Sequence, residues 1–456
     1  MSSQKLFHHL CWRSGFGPDP GADYQDYEVE VVRLFADNAP GDLTVPGWTP
    51  TSVIDIRAMS LEKRKEYQRT ERQARLKLGY LWFTKMAAAP NPFPEKMAFF
   101  WSGHFACRVN SAQFGLRYVN ALRKNALGNF GDLLRAMIRD AALLQFLNNN
   151  QNVKGNPNEN FAREFFELFT LGRGNYTEQD VKEAARALTG WGFDREGLFT
   201  FRTQLHDSGT KTIFGNSGNY DGDDLVDLVL KRRECAMFIS YKICRQFQSD
   251  SPDIGLIKNI ADALYSSNYN IRTAMETLFR SPQFRSEDCV GSKIKSPVEL
   301  LAGLFRMFDI KPEKETSLLQ LQRALGQVPL NPPNVGGWTS GKGWIDSSTL
   351  FFRMRLSQLL LAQGDVILDP KAEFDAQQQT IVNNRKIKTT FDTVKLNQIP
   401  VSKDENQLQV LSDFLLQIAP SKSVAALIKS QVTANGGSAL LKSAIMLMSL
   451  PEYQIC

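Results

Sequence analysis

Apolar residues recur along most of this chain at intervals of three and four, the spacing that gathers them on one face of an α-helix. The pattern predicts helices over about 26–37, 60–88, 93–106, 111–124, 128–147, 157–171, 177–190, 222–248, 253–280, 295–308, 316–325, 348–362, 404–418, 421–433 and 437–449. Alternating strand patterns are scarce. Two short β-like runs, 197–202 and 211–214, are expected to pair as one small hairpin closed off by the turn-rich sequence 215–222. Between about 364 and 403 the pattern weakens into polar sequence containing Gln377-Gln378-Gln379 and Asn383-Asn384. The expectation is a mainly α, multi-helical globular protein in two lobes. Residues 1–363 form the main lobe, 364–403 a polar connection, and 404–456 a C-terminal helical lobe packing back on the first.

A length of 456 residues supports the division, because single cores stop growing near roughly 250–300 residues. At 43% hydrophobic and 22% charged, the chain can bury a large core and lacks the composition of disorder. The net charge of +6 is modest. The basic stretch from Lys63 to Lys77 is interleaved with Glu62, Glu66 and Glu71, so it reads as a solvated helix face, and no nucleic-acid partner is expected. Six cysteines without a CxxC pair argue for free thiols in a reducing compartment. His8 and His9 interrupt the N-terminus where a signal peptide needs an apolar run, and no 18-residue apolar stretch occurs. The expectation is a soluble cytoplasmic protein without a transmembrane segment, export being the alternative.

Candidate chemistry concentrates in one amphipathic segment, 156–172. Asn156 can cap, Pro157 suits the first helical position and Gly172 or Gly174 can end the helix. Phe161, Phe165, Phe166, Leu168 and Phe169 fill one side, and Glu159, Asn160, Arg163, Glu164 and Glu167 the other. Helical spacing places Arg163 between Glu159 and Glu167. A following helix, capped by Thr177 with Asp180, brings Glu183 and Arg186 close. The plain alternative is a solvent-facing charged stripe.

His104 sits in an aromatic run, 99–105, as a satisfied core histidine or as a ligand or base. His206 opens a polar loop in which Asp207 could orient its ring. Neither this loop nor 219–224 matches a phosphate-binding or EF-hand spacing. Trp338 follows a stiff Pro-Pro and paired glycines, suited to stacking on sugars or to pinning the loop.

The ordered segments 9–13, 15–18, 100–105, 156–164, 174–178, 187–191, 206–212, 332–338 and 451–454 resemble the bacterial family catalogued as domain of unknown function 1800. The resemblance spans nearly the whole chain and implies no assigned activity. It does imply a protein partner from a co-occurring family related to alkaline phosphatases and sulfatases, and many exported relatives. The functional expectation is a hydrolase or transferase acting on a polyhydroxylated or anionic envelope substrate. Glu164, Glu167, His104, His206 and Asp207 would do acid/base work or hold a divalent metal, and Arg163, Asn160, Lys211, Trp191 and Trp338 would contact substrate. This requires the stripe 159–167 to face an enclosed hollow shared with the imidazoles. The alternative is a non-catalytic scaffold in which Arg163 is the centre of a buried ion-pair network.

Overall fold

The computed structural model describes residues 2–22, 26–36, 40–49, 59–361, 387–399, 407–434 and 439–456. Residues 364–386 and 400–403 of the expected connection lie outside them. Helices dominate, and the strands among the described residues form three two-stranded antiparallel ladders, so the chain is mainly α.

Several long periodic stretches are broken by local chemistry that apolar spacing does not carry. The expected 128–147 helix is two, Phe130–Ile138 and Ala141–Phe146. The Asp140 carboxylate accepts the backbone N–H groups of Ala142 and Leu143 and so starts the second. The 253–280 stretch divides into Ile254–Ser266 and Ile271–Arg280 across Asn268 and Tyr269, both at positive φ. The 222–248 stretch divides into Gly222–Leu230 and Arg233–Phe247. A further helix, Ser3–Ser14, escapes the pattern because its buried face includes His8, His9 and Arg13 as well as Phe7, Leu10 and Trp12.

The β excursion is two hairpins rather than the single one expected. Trp191–Phe193 pairs with Phe199–Phe201, and Lys211–Ile213 with Asn216–Gly218. Each strand takes its nearest neighbour in sequence, which closes the shortest loop. Asp194 fixes the first turn by accepting the N–H groups of Glu196 and Leu198.

One connected core runs from Leu10 to Cys456, with Trp82, Trp101, Phe105 and Phe130 fully buried. The basic first half of the Leu61–Ala88 helix is largely solvated, and Leu78, Trp82, Phe83 and Met86 bury its second half. Both ends of the chain meet in this core. The backbones of Lys293 and Cys456 exchange hydrogen bonds of 3.2 and 2.8 Å, and Trp12 packs edge-on against Tyr453. Lys295 Nζ lies 3.5 Å from the Trp12 ring and 3.9 Å from the Tyr453 ring. Next to this junction the Pro297–Phe308 helix begins with a capping box of Ser296 and Glu299 and with Pro297 at its first position.

Candidate functional site: a cationic cleft beside a satisfied polar network

The polar segment does not begin at Pro157. An α-helix covers Asn160–Glu164, the Asn158 carboxamide accepts the N–H of Asn160, and a π-helical turn covers Phe165–Thr170. The wider turn carries Glu167 off the row of Arg163, because i,i+4 neighbours require about 3.6 residues per turn. Arg163 instead bridges Glu159 at 3.2 Å and grips both oxygens of Glu178 at 2.8 and 2.7 Å. Glu167 accepts from Arg173 Nε at 2.6 Å and from the Tyr176 hydroxyl at 3.1 Å. With Arg163 35% and Glu178 70% exposed, the Arg163 network stands in water rather than around an enclosed hollow or in a buried strut. Glu164 forms no ion pair among the described residues; burial first, then Glu167, raises its pKa. Asn160 donates its amide to the Leu147 carbonyl at 3.1 Å.

The loop 206–212 folds onto the Glu178–Ala187 helix. Asp207 takes Arg186, at 2.7 and 3.3 Å, and not its neighbour His206. The Arg186 hydrogen bond holds the Asp207 carboxyl down at about 2. His206 Nδ1 donates to the Thr189 carbonyl at 2.9 Å. Lys211 is fully buried, with Nζ donating to the Gly209 carbonyl and Asn219 Oδ1 at 3.2 and 3.3 Å. Gly190, at φ +76°, brings the chain so close that a Cβ would stand 2.6 Å from the Arg202 oxygen. Trp191 beside it is 2% exposed, and Arg139 stacks 5.0 Å from its ring. These polar groups are largely satisfied by one another.

A cleft of about 340 Å³ opens elsewhere, between the end of the Phe93–His104 helix, the Arg233–Phe247 helix, the segment 293–299 and the loop 336–344. Of the residues expected from sequence, His104 and Trp338 line it and the others do not. The loop is seated directly on the helix end. Gly337, at φ +83°, approaches so closely that a Cβ would stand 2.8 Å from the Gly103 oxygen.

Sequence reasoning missed the charged wall of this cleft: Lys242, Arg245, Lys293 and Glu299. Glu299 is buried with Lys96, Nζ to oxygen 2.5 Å. Burial pushes its carboxyl up, but the Lys96 ammonium, the Ser296 N–H and Lys293 together outweigh that and hold it at about 2. Lys293 pairs with Asp250 at 2.8 Å. Arg245 donates to the Ser340 hydroxyl at 2.7 Å, and Lys242 lies 5.2 Å from the Phe238 ring. Neither of these two forms a salt bridge among the described residues. Burial lowers the Lys242 pKa, and Arg245 lowers it further.

His104 joins the cleft to the polar segment. Its Nε2 lies 3.0 Å from the carbonyl of Phe169, in the π-helical turn. Burial first, then Lys242, pushes its pKa down to about 3, so the ring is neutral. Because the carbonyl only accepts, Nε2 carries the hydrogen and Nδ1, buried without a partner among the described residues, keeps a lone pair. Among the described residues no three His, Cys, Asp or Glu side chains gather to hold a metal ion. No helix among them is long and apolar enough to cross a membrane.

No curated protein and no solved structure matches this chain. The model of a protein family of unknown function, DUF1800, matches residues 9–455, which include both the cleft and the polar network. The chain belongs to the DUF1800 family.

Proposed function

We propose that the protein holds an anionic, polyhydroxylated substrate in this cleft and acts on it as a hydrolase or transferase. One observation carries the reading. Lys242 and Arg245, three residues apart on one helix, line the same cleft as Trp338 and Trp344, and no carboxylate among the described residues pairs with either. Cations without counter-charges favour an anion, and indole faces suit the apolar faces of sugars. A volume of about 340 Å³ admits a small molecule. Glu299, held ionised at about 2, and His104, with a pKa near 3, are too weakly basic to take a proton near neutral pH, so this reading rests on binding by Lys242, Arg245 and Trp338. Calorimetric titration with glucuronate and with glucose tests it. Glucuronate is expected to bind, glucose to bind at least tenfold more weakly, and Lys242→Ala or Arg245→Ala to weaken glucuronate tenfold without changing the melting temperature appreciably. Equal affinity for both sugars, or full affinity in both variants, counts against the reading.

The scaffold alternative draws on a different observation, the exposed Arg163–Glu178 bridge and the exposed Arg173 that pairs with Glu167. It assigns that face to the phosphatase- or sulfatase-like partner that the family resemblance implies. Co-purification of such a partner with the native chain, lost in Glu178→Lys, is its expected result.

A further inference from the structure

Behind the cleft, charge does not balance. Arg13, Lys96, Lys293, Lys295 and Arg353 are each at most 8% exposed. They form one electrostatic neighbourhood: Glu299 acts on Lys96, Lys293, Lys295 and Arg353, and Arg13 acts on Lys293. Among the described residues the carboxylates facing them are Glu299 and Asp250. Lys96 already takes Glu299, and Lys293 takes Asp250. Arg13 and Arg353 rest on neutral acceptors, the carbonyls of Cys289 and Lys295, both at 2.6 Å, and each keeps at least one buried guanidinium nitrogen without a partner among the described residues. Lys295 donates to the Tyr453 carbonyl at 2.7 Å between two aromatic rings. Burial pushes the Lys295 ammonium down to about 7, and with Lys242 and Arg245 on the cleft wall the other six cationic side chains stand against these two carboxylates.

Such a surplus discriminates between anions by their charge. Coulomb energy scales with the product of the charges, so at equal distance a dianion gains about twice what a carboxylate gains from every cation in range. Ammonium and guanidinium groups together suit a phosphoryl group, the guanidinium through paired N–H donors. Resting on the cleft reading above, we propose that the ligand is a phosphate monoester of a polyhydroxylated compound. The phosphoryl group lies among Lys242, Arg245 and Lys293, and the hydroxylated part lies against Trp338.

The test compares glucose 6-phosphate, inorganic phosphate and glucuronate by calorimetry at about 0.15 M salt and pH near 7.5, where a phosphomonoester is largely dianionic. Glucose 6-phosphate is expected to bind at least tenfold more tightly than glucuronate, with inorganic phosphate competing for the same site. The double variant Lys242→Ala/Arg245→Ala is expected to lose at least tenfold for the phosphate ester, with its fold checked by circular dichroism. If glucuronate binds within twofold of glucose 6-phosphate, the phosphoryl assignment fails while the anionic cleft survives. If neither binds, both fail. Phosphate-ester binding left intact in the double variant places the ester elsewhere and overturns the assignment, as does an ester that binds without competition from inorganic phosphate.

Discussion

Arg123 and Arg163 are both held by carboxylates, and water separates their consequences. Arg123 grips Glu95 through Nε and Nη2 at 2.6 to 3.1 Å with the two side chains 2% and 4% exposed, whereas Arg163 and Glu178 are 35% and 70% exposed. Removing one member of a buried pair leaves an uncompensated charge and costs about 3–5 kcal/mol; removing one member of a surface pair costs about 0–1 kcal/mol. Urea unfolding of Arg123→Ala and Arg163→Ala is therefore expected to differ by several kcal/mol, and equal losses would contradict the assignment of burial. Glu299→Gln is the analogous change beside the cleft. It strips Lys96 of its counter-charge, and a loss of stability of about 3–5 kcal/mol is expected in the same assay.

At the scale of elements, the cleft depends on how closely the loop 336–344 rides on the end of the Phe93–His104 helix. Gly337→Ala introduces both a positive φ for an L side chain and a contact at 2.8 Å with backbone, not with a flexible side chain. The expected cost is about 1–3 kcal/mol, with a lower melting temperature and weaker ligand binding together as the loop lifts from the helix. Normal melting with normal binding would show that the loop does not shape the cleft. The π-helical turn Phe165–Thr170 acts at the same scale: it turns Glu167 toward Arg173 and Tyr176, and its Phe169 carbonyl fixes the tautomer of His104.

For the whole molecule, three of the four histidines are buried and resist protonation: His8, His9 and His104, each mainly through desolvation. Their folded pKa values lie below the unfolded value near 6.5, so the unfolded chain binds more protons between the two. The stability they contribute is complete above about pH 6.5 and is lost as pH falls toward the folded values. Asp140, pushed up to about 7 by burial, acts in the opposite sense, losing its contribution as pH rises from its unfolded value to about 7. Two raised carboxyls, Asp140 and Glu164, oppose three imidazoles, so the melting temperature is expected to drop between pH ~6.5 and ~4.5. A flat or rising profile over that interval would refute the burial of the imidazoles as charge-excluding.

Helix content, most helix ends and family membership are legible along the chain, because each rests on residues within a turn or two of one another. Thr177 with Asp180 marks a helix start correctly, and the helix expected over 295–308 forms as Pro297–Phe308. His104 and Trp338 stand out as unusual residues in aromatic and glycine-rich surroundings, and both reach the cleft. The π-helical turn is not written in apolar spacing, so the partners of Arg163 and Glu167 could not be read correctly. The charged wall is further from view: Lys96 and Glu299 are 203 residues apart, and Lys242 and Arg245 look like ordinary helix-surface cations until the fold leaves them without carboxylates among the described residues. Local spacing determines which segments are helices. Charge balance in a cleft is a sum over segments that only tertiary packing brings together.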